Sequence, residues 1–345
     1  MAASAVRFFV WTLVPRQERL DALFFAPKER PFIVCPEIAT LPQPPASRLI
    51  LGVDGAKHTA YCGSMSPVTV SAPSTGVPAI SPSIPSEAVR PPLKWAGGKR
   101  WQLRYLEPLW QPHRHRRLVE PFCGGLAVAT GLMPDRALLN DINQHVINFY
   151  DWLKRGLEIS FEMKNDADHY YEARRRFNDL LVSGCGTAAE AAGLFYYLNR
   201  TGYNGLCRFN SKGEFNVPFG RYTNIGYKSD FSGYKKAFEQ WQFTNTDFEQ
   251  IDLTPEDFVY ADPPYDVEFT HYSKGGFDWD EQVRAAEWLS RHLGPVVLSN
   301  QATPRIVKLY RSLKFTLNFR EAPRRISCTG DRTPAAEVLA LRNIK

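Results

Sequence analysis

The chain of 345 residues lacks the features that mark membrane proteins, disulfide scaffolds and zinc proteins. No apolar run reaches the roughly 18 residues that a membrane-spanning helix needs. Residues 5–14 are apolar, but the small residues of a signal-peptide cleavage site do not follow them. The six cysteines form no C-x-x-C pair and match no zinc-site spacing. We therefore expect a protein of the reducing cytoplasm that binds neither membrane nor metal.

The sequence also lacks a dinucleotide-binding fingerprint and a large net charge, which limits the cofactors and partners to be considered. The dinucleotide fingerprint G-x-G-x-x-G does not occur at the glycine turn of residues 118–125, so NAD is disfavoured. Charge of one sign is not strongly in excess, since the net charge is +6 and the isoelectric point is about 8.9. A mildly basic surface suits a polyanionic partner, but ordinary surface lysines and arginines explain the same value, and both interpretations stay open.

Composition divides the chain near residue 90. Residues 1–90, above all the stretch 42–92 rich in proline, serine, alanine and valine, show neither helical nor strand periodicity. Such a composition buries too little apolar surface to offset the entropy of ordering, so we expect a disordered and dispensable extension. An upstream translation artefact and a functional tether are the alternatives.

Strand and helix patterns alternate in the remainder, with one interruption. Residues 91–143 and 233–345 show the alternation of one α/β sheet, whereas residues 144–232 are mainly helical and end in a glycine-punctuated β-hairpin at 203–222. The predicted strands lie at 258–261, 295–299 and 336–342, and the predicted helices at 146–153, 172–177, 188–198 and 280–293. The arginines of 172–177 are expected to face water, with phosphate as the alternative. The pattern predicts a sheet with an inserted helical domain.

The most informative letters are Asp262-Pro263-Pro264-Tyr265, which follow the strand predicted at 258–261. They stand where a central strand opens into a loop, and ligands bind at that edge in open α/β sheets. Two prolines stiffen the turn and leave their carbonyls as fixed acceptors. A carboxylate beside such a carbonyl can accept both hydrogens of an amino group, while Tyr265 can stack on a flat base. The tetrapeptide predicts a site that holds an exocyclic amine while its nitrogen attacks an electrophile.

Three upstream blocks accompany the tetrapeptide. Residues 118–125 indicate a strand ending in a glycine turn, which lets a cofactor approach the backbone closely. Residues 137–141 indicate a strand ending in Asp141, and an acid at that place suits the hydroxyls of a ribose. Lys94-Trp95-Ala96-Gly97-Gly98-Lys99 lies further upstream.

The stretch 198–222 is the most specific, with Leu198-Asn199-Arg200-Thr201-Gly202-Tyr203-Asn204-Gly205-Leu206-Cys207-Arg208 at its core. With these blocks in this order, the chain from about residue 91 resembles the Dam-type DNA adenine methyltransferases, of the alpha group in which the cofactor motif precedes D-P-P-Y. The resemblance implies a Rossmann-like catalytic domain at 91–143 and 233–345 and a target-recognition domain at 144–232. It also implies S-adenosylmethionine as methyl donor, double-stranded DNA as substrate, and a monomer in a bacterial or phage-infected cell.

The resemblance assigns the catalytic role to Asp262, Pro263, Pro264 and Tyr265. The exocyclic nitrogen of adenine is a poor nucleophile because its lone pair is delocalised into the ring. Asp262 and the Pro263 carbonyl would accept its two hydrogens, and Tyr265 would clamp a base that has left the duplex.

The implied cofactor site has a wider set of members. They are Trp95, Lys99, Glu120, Phe122, Gly124, Asp141, Asp247 and Asp262. Asp141 would hold the ribose, Lys99 the methionine carboxylate and Glu120 the methionine amino group. Asp247 would reach the adenine of the cofactor, although a helix cap is an alternative role for it.

The implied DNA-binding residues lie in the hairpin, apart from Lys94. They are Lys94, Tyr203, Asn204, Leu206, Arg208, Pro218, Arg221 and Tyr222. Tyr203 would wedge into the duplex beside the flipped base, with Asn204 in support. Arg208 suits guanine, Leu206 and Pro218 a thymine methyl, and Lys94 and Tyr222 the first base pair of GATC. Arg221 would contact phosphate.

One departure from the family pattern concerns the glycine turn. Phe122-Cys123-Gly124-Gly125-Leu126 has leucine where the family pattern F-x-G-x-G ends in glycine. Leu126 therefore leaves open a DNA-binding relic without activity. A methyltransferase acting on RNA adenine or protein glutamine is a separate alternative, against which the hairpin argues. Phe269, Thr270 and Tyr272 indicate a lid over the flipped base.

Overall fold

The computed structural model describes residues 89–266, 277–322 and 335–344. The predicted extension, apart from residues 89 and 90, lies outside the described residues, and so do the lid residues Phe269, Thr270 and Tyr272. The helices in the described ranges include none with the length and hydropathy that crossing a bilayer requires.

One mixed sheet of seven strands forms the centre of the described structure. In chain order the strands are β1 (Arg117–Glu120), β2 (Ala137–Asn140), β3 (Trp241–Thr244), β4 (Asp257–Ala261), β5 (Val296–Gln301), β6 (Thr316–Ala322) and β7 (Ala335–Arg342). Across the sheet the order is β3-β2-β1-β4-β5-β7-β6. The first five strands in this order are parallel, and β7 runs antiparallel to both β5 and β6. The prediction of one α/β sheet is confirmed.

Helices cover the sheet and form the insertion. They are α1 (Leu103–Trp110), α2 (Ala129–Leu132), α3 (Gln144–Arg155), α4 (Ala167–Val182), α5 (Ala189–Thr201), α6 (Ser232–Ala237), α7 (Trp279–Ser290) and α8 (Pro304–Ser312). Side-chain caps at Asn143, Asp166, Asp278 and Thr303 begin four of them by accepting a backbone N–H of the first turn. The helix predicted to reach residue 293 ends at Ser290, and Leu293 beyond it is 76% exposed.

The two faces of the sheet bury separate hydrophobic clusters. Successive strand residues point to opposite faces, so Leu118 joins one cluster and Val119 the other. The cluster that contains Leu118 continues through α3, α4 and α5. The other cluster is covered by α7 and α8. The insertion therefore shares a core with the catalytic sheet, and the domain boundaries at 143 and 232 stay a prediction.

The hairpin (residues 203–222) has the hydrogen bonds of an antiparallel pair without continuous strands. Isolated bridges join Gly202 to Phe219 and Phe209 to Phe215. The N–H of Tyr203 donates to the carbonyl of Pro218 at 2.9 Å, and the N–H of Asn216 donates to the carbonyl of Arg208 at 3.1 Å. Left-handed φ angles at Asn204 (53°), Gly205 (62°) and Gly213 (79°) interrupt the extended backbone that a regular ladder needs.

Candidate active site

The carboxyl ends of the parallel strands open into a cavity of about 1370 Å³. Strand order reverses between β1 and β4, which is the place where open α/β sheets bind ligands. The glycine turn follows β1, Asp141 follows β2, and the tetrapeptide begins the catalytic loop (residues 262–266) after β4. All of these line the cavity together with the hexapeptide (residues 94–99) from Trp95 onward. The structure brings together blocks that are up to 170 residues apart in the chain, from Trp95 to Tyr265.

Asp262 is a partly buried carboxylate with one oxygen engaged. Its Oδ2 lies 3.1 Å from Lys99 Nζ, and its side chain is 18% exposed. Its Oδ1 is buried and accepts no hydrogen bond from the described residues. Burial raises the pKa of Asp262 above its usual value, although the charge of Lys99 opposes the shift. Asp262 therefore lines the cavity with one oxygen paired to Lys99 and with the other buried and without a partner among the described residues.

Tyr265 lies against Lys99 and a buried polar cluster. Lys99 Nζ stands 4.2 Å from the centre of the Tyr265 ring, and the Tyr265 hydroxyl is 3.2 Å from Ser299 Oγ. Gln102 Nε2 donates to Ser299 Oγ at 3.0 Å and to Glu337 Oε2 at 2.7 Å. Sequence reasoning missed Gln102, Ser299 and Glu337. The sequence contained a signal for Glu337, because it is an acid within the apolar segment that forms β7. In the structure its side chain is only 6% exposed.

The glycine turn has no room for side chains because Trp95 packs on it. A Cβ atom on Gly124 would lie 2.6 Å from Trp95 Nε1, and one on Gly125 would lie 2.5 Å from Trp95 Cβ. Gly124 also has a φ of 44°, in the left-handed region. These glycines keep the turn flat against Trp95 at the cavity wall.

Leu126 takes the conformation that favours glycine. Its φ is 59°, and its side chain is fully buried. Its N–H donates to the Cys123 carbonyl at 2.9 Å, and its carbonyl accepts from the N–H of Thr130 at 3.1 Å. Leu126 is absent from the described lining of the cavity, where Gly125 and Ala127 are present. The turn therefore closes with leucine in place, and the leucine side chain packs into the core.

Asp141 and Glu120 are the other carboxylates of the upstream blocks. Asp141 Oδ2 accepts from the N–H of Gly124 at 3.0 Å, and Oδ1 accepts from the N–H of Asn143 at 2.9 Å. Glu120 is 2% exposed, and its Oε1 is buried without a partner among the described residues. Burial raises the pKa of Glu120 well above its usual value, and the charge of Asp262 adds to this. Asp141 holds the glycine turn, while Glu120 keeps an unused acceptor at the cavity.

Asp247 is held by a two-point ion pair from α7. Arg284 Nη1 donates to Asp247 Oδ1 at 2.9 Å, and Arg284 Nη2 donates to Oδ2 at 2.7 Å. These bonds lower the pKa of Asp247 below its usual value. Asp247 caps the short turn that follows it, which is the alternative role, and it also lines the cavity, where its contact with a cofactor stays a prediction. Phe122, which lines the cavity too, packs its ring 5.4 Å from that of Phe248.

Lys94 links the hexapeptide to the insertion. Its N–H donates to Asn199 Oδ1 at 2.8 Å, and its carbonyl accepts from Asn199 Nδ2 at 2.9 Å. Its Nζ donates to the Arg200 carbonyl at 2.5 Å and stands 3.4 Å from the centre of the Tyr222 ring. Burial, with the charge of Arg200, lowers the pKa of Lys94 to about 8. The two residues predicted for the first base pair, Lys94 and Tyr222, are thus in contact.

The hairpin presents its predicted DNA-binding residues with different degrees of exposure. Tyr203 is 50% exposed, and Asn204, Pro218 and Arg221 are exposed as well. Leu206 is half-buried. Arg208 is half-buried too, and its Nε donates to Asn216 Oδ1 at 2.8 Å while Nη2 donates to the Asn216 carbonyl at 3.3 Å. Asn216, which sequence reasoning missed, leaves Nη1 of Arg208 without a bond among the described residues.

Helix α4 anchors the second arm of the hairpin. Tyr170 hydroxyl and Arg174 Nη1 both donate to the Val217 carbonyl at 3.0 Å. Asn178 exchanges two bonds with the backbone of Phe215, at 2.8 and 3.1 Å. The prediction that the arginines of 172–177 face water is wrong for Arg174, because its guanidinium contacts a hairpin carbonyl, whereas Arg175 is exposed.

In the described part of the chain, no group of three or more His, Cys, Asp or Glu side chains is arranged to hold a metal ion.

The family model for D12 class N6 adenine-specific DNA methyltransferases matches residues 95–326. The retron Ec67 DNA adenine methylase of Escherichia coli is 35% identical over 267 residues, which cover 72% of this chain and 90% of that protein. The DNA adenine methylase of Vibrio cholerae is 34% identical over 274 residues, which cover 72% of this chain and 94% of that protein. The type II methyltransferase M1.LlaDCHI of Lactococcus lactis is 33% identical over 256 residues, which cover 68% of this chain and 89% of that protein.

Proposed function

The chain belongs to the D12 class of N6 adenine-specific DNA methyltransferases, and from this premise we propose that it methylates a flipped-out adenine within GATC, with S-adenosylmethionine as the donor. Relatives of this similarity and coverage establish the enzyme class as adenine-specific DNA methylation. The cofactor, the flipped base, the recognition sequence and the residue roles are the proposal.

The observation that carries the proposal is the pair of free acceptors at the start of the catalytic loop. Asp262 Oδ1 is buried without a partner, and the Pro263 carbonyl accepts no hydrogen bond within the described residues. An unsatisfied buried acceptor costs about 1–3 kcal/mol, and a ligand that donates to it would remove that cost, which supports the proposal. An exocyclic amino group supplies two hydrogens for these two acceptors.

Alignment of the amine is the catalytic contribution that these residues make. Accepting both amino hydrogens pulls the nitrogen lone pair out of conjugation with the ring and directs it into the cavity. The nitrogen becomes cationic as it forms its new bond to carbon, so its proton becomes acidic and the site needs no strong base. Tyr265 supports the ring of the base, and its hydroxyl is held at Ser299. The target adenine has to leave the duplex, since the acceptors lie at a partly buried cavity wall.

The cavity fits S-adenosylmethionine by the chemistry of its walls. When bound, this cofactor supplies an electrophilic methyl group on a sulfonium. Glu120 Oε1, buried and without a partner, suits the amino group of the methionine moiety. Lys99 offers a cation for the carboxylate and Asp141 offers acceptors for the ribose. Asp247, with its negative charge maintained by Arg284, is an acceptor for an adenine amino group, and Trp95, Phe122 and Gly124 complete the walls.

Recognition of GATC is assigned to the hairpin and to Lys94. Arg208 is held by Asn216 with part of its guanidinium free, which suits a two-point bond to guanine. Exposed Pro218 and half-buried Leu206 offer apolar contact for a thymine methyl, and Tyr203, half exposed, is available as a wedge beside Asn204. Lys94 and Tyr222 lie together for the first base pair. Exposed Arg221 has no ion pair among the described residues and is left for phosphate.

The test is transfer of labelled methyl groups from S-adenosylmethionine to duplexes that differ only in the GATC site. We expect N6-methyladenine in GATC duplexes, and little in duplexes with one base pair changed or in RNA of the same sequence. Sequencing of modified bases in DNA from expressing cells checks the site independently. Methylation of a different motif would overturn the assignment of the hairpin residues, and an absence of transfer would favour the inactive relic.

A further inference from the structure

The catalytic loop is anchored on its outer side by groups that do not reach the cavity acceptors. Gln282 Nε2, from α7, donates to the Pro264 carbonyl at 2.6 Å. The Asp266 carboxylate accepts from Thr303 Oγ1 at 3.1 Å and from the Arg305 guanidinium. Neither Gln282 nor Asn300, its partner, has a role in binding cofactor or base as described above.

Gln282 belongs to a buried chain of three side chains, the amide relay (Gln282, Asn300 and Tyr310). Asn300 Nδ2 donates to Gln282 Oε1 at 2.9 Å and to the Tyr310 hydroxyl at 3.1 Å. The three residues are 2%, 0% and 1% exposed, respectively, so water does not substitute for these bonds. The relay connects β5, α7 and α8 to one carbonyl of the catalytic loop.

The direction of the amide relay has a single solution. Asn300 Oδ1 accepts from the N–H of Gln301 at 2.8 Å and from the N–H of Asp266 at 3.4 Å. Because both of those groups are donors, the amide nitrogen of Asn300 must face the other way, towards Gln282. Gln282 then presents its oxygen to Asn300 and its nitrogen to Pro264. The backbone N–H groups of Gln301 and Asp266 orient the Asn300 amide, and the Asn300 amide orients that of Gln282. They therefore determine that Gln282 donates to the Pro264 carbonyl.

Fixing the Pro264 carbonyl has a consequence for its neighbour. Both prolines have φ held near −65° by their rings, so little freedom is left between Asp262 and Pro264. Because the Pro264 carbonyl is held by Gln282, a rotation about ψ of Pro263 would have to displace an anchored residue, which restricts the direction of the Pro263 carbonyl. The Pro263 carbonyl is left available as the second acceptor for the amine, next to Asp262 Oδ1.

We propose that Gln282 is a positioning residue for methyl transfer, which sets the direction of the Pro263 carbonyl by donating to the Pro264 carbonyl. The inference rests on the proposed function and assigns to the amide relay a share of the alignment of the amine. An apolar side chain would fill the same volume in α7, but it would leave the Pro264 carbonyl and the Asn300 amide without partners.

The test is the substitution Gln282→Glu in the full chain, which keeps shape and removes only the donor. An ionised carboxylate still accepts from Asn300 but repels the Pro264 carbonyl, whereas a protonated carboxyl donates to it. Burial raises the pKa of an introduced carboxyl, so protonation falls in an accessible range. The readout is the single-turnover rate of DNA methylation relative to wild type between about pH 6 and pH 9.

At the high end of this pH range, we expect the rate of Gln282→Glu to be on the order of tenfold to a hundredfold below that of wild type. A displacement of the Pro263 carbonyl by about 1 Å would cost about that much. The relative rate should recover as the pH falls. Dissociation constants for cofactor and DNA should stay within about twofold of wild type, because the relay touches neither ligand. Gln242→Glu, at an exposed position of β3, is the matched control and should show no pH-dependent loss.

Each contrary outcome is distinct. A relative rate near one at every pH overturns the proposal, and so does a loss that is equal at every pH, because packing alone would produce it. If Gln282→Glu does not fold, the uncharged Gln282→Met removes the donor to the Pro264 carbonyl without adding a charge, and an unchanged single-turnover rate in that variant overturns the proposal instead. Failure of the proposed function looks different, since the wild type itself would then transfer no methyl group to DNA.

Discussion

The catalytic loop and the hairpin are both irregular backbone, yet they are held by different kinds of bonds. In the catalytic loop, buried Gln282 and Ser299 engage the Pro264 carbonyl and the Tyr265 hydroxyl, and Thr303 donates to the Asp266 carboxylate. The hairpin is held along its second arm, where Asn178, Tyr170 and Arg174 of α4 reach its backbone. Other side chains of the hairpin face solvent, such as Tyr203 at 50% exposure.

This difference matches the two tasks that we propose. Aligning an amine requires acceptors whose positions do not change during the reaction, and a dry polar network provides that stiffness. Reading a duplex requires side chains that leave water and adapt to a large partner, and weakly held surface segments do this at low cost. The comparison predicts that substitutions in the catalytic loop change the rate, whereas substitutions in the hairpin change specificity or affinity.

The largest effect is expected from Asp262→Ala. If this substitution left the rate unchanged, the proposed contrast between the catalytic loop and the hairpin would be wrong. The substitution removes the free acceptor Oδ1 and leaves Lys99 with the Gly97 carbonyl as its remaining described hydrogen-bond partner. We expect the single-turnover rate to fall by about a hundredfold or more, as for other positioned electrostatic groups. Asp168→Ala, an exposed acid in the first turn of α4, is the control and should keep its rate. Retention of more than about a tenth of the rate would exclude the catalytic role.

Two arginine substitutions sharpen the comparison within the hairpin. Arg208→Ala should lose about 1–3 kcal/mol of discrimination at one base pair, because a two-point bond to guanine is lost. Arg221→Ala should weaken binding on every sequence alike and lower the salt slope by about one. Methylation rates on all single-base-pair variants of GATC, with binding at several salt concentrations, separate the two effects. Equal behaviour of the two variants would contradict the distinct roles.

Leu126→Gly tests whether the glycine turn depends on packing or on backbone freedom. Glycine would remove a left-handed cost of about 1–3 kcal/mol. Deleting a fully buried leucine costs about 2–5 kcal/mol, so we expect a net loss of stability of about 1–2 kcal/mol. Denaturant unfolding measures the change. Lys314→Gly is the matched control, because Lys314 has a φ of 64° and an exposed side chain, and it should lose less. A gain in stability for Leu126→Gly would show that strain outweighs packing at this turn.

The smallest effect concerns pH. Because burial raises the folded-state pKa of Asp262, its charge costs stability above that pKa, and protonation removes the cost as the pH falls. Wild type should therefore gain stability relative to Asp262→Asn between about pH 7 and pH 4, while methyl transfer declines as the acceptor is protonated. Parallel unfolding and rate measurements check the opposite signs. A constant difference in stability across this range would mean that burial does not shift the group.

Much of the fold was predictable because burial leaves a strong pattern. The strands at 258–261 and 295–299 are apolar on both faces, as parallel strands covered by helices are, and the structure places them at β4 and β5. The continuous core between the sheet and α3, α4 and α5 was not predictable. It arises from aromatic side chains that contact each other across long chain separations, such as Phe149 and Tyr196, with ring centroids 5.6 Å apart.

The sequence by itself determined the set of chemical groups at the site, because proline pairs, glycine turns and acids at strand ends act through local geometry. Asp262, Asp141 and the glycine turn were identified in this way, Lys99 was identified by the family resemblance, and all of them line one cavity. Only the tertiary structure decided what holds those groups in place. The residues that do so are single polar residues in ordinary helices and strands, namely Gln282, Asn300, Arg284 and Glu337. Each of them has a partner at the site that lies 18 residues or more away. Gln282 meets both Pro264 and Asn300 at a separation of 18, Arg284 meets Asp247 at 37, and Glu337 meets Gln102 at 235. Hydrogen bonds at such separations depend on chain packing, which local patterns do not encode.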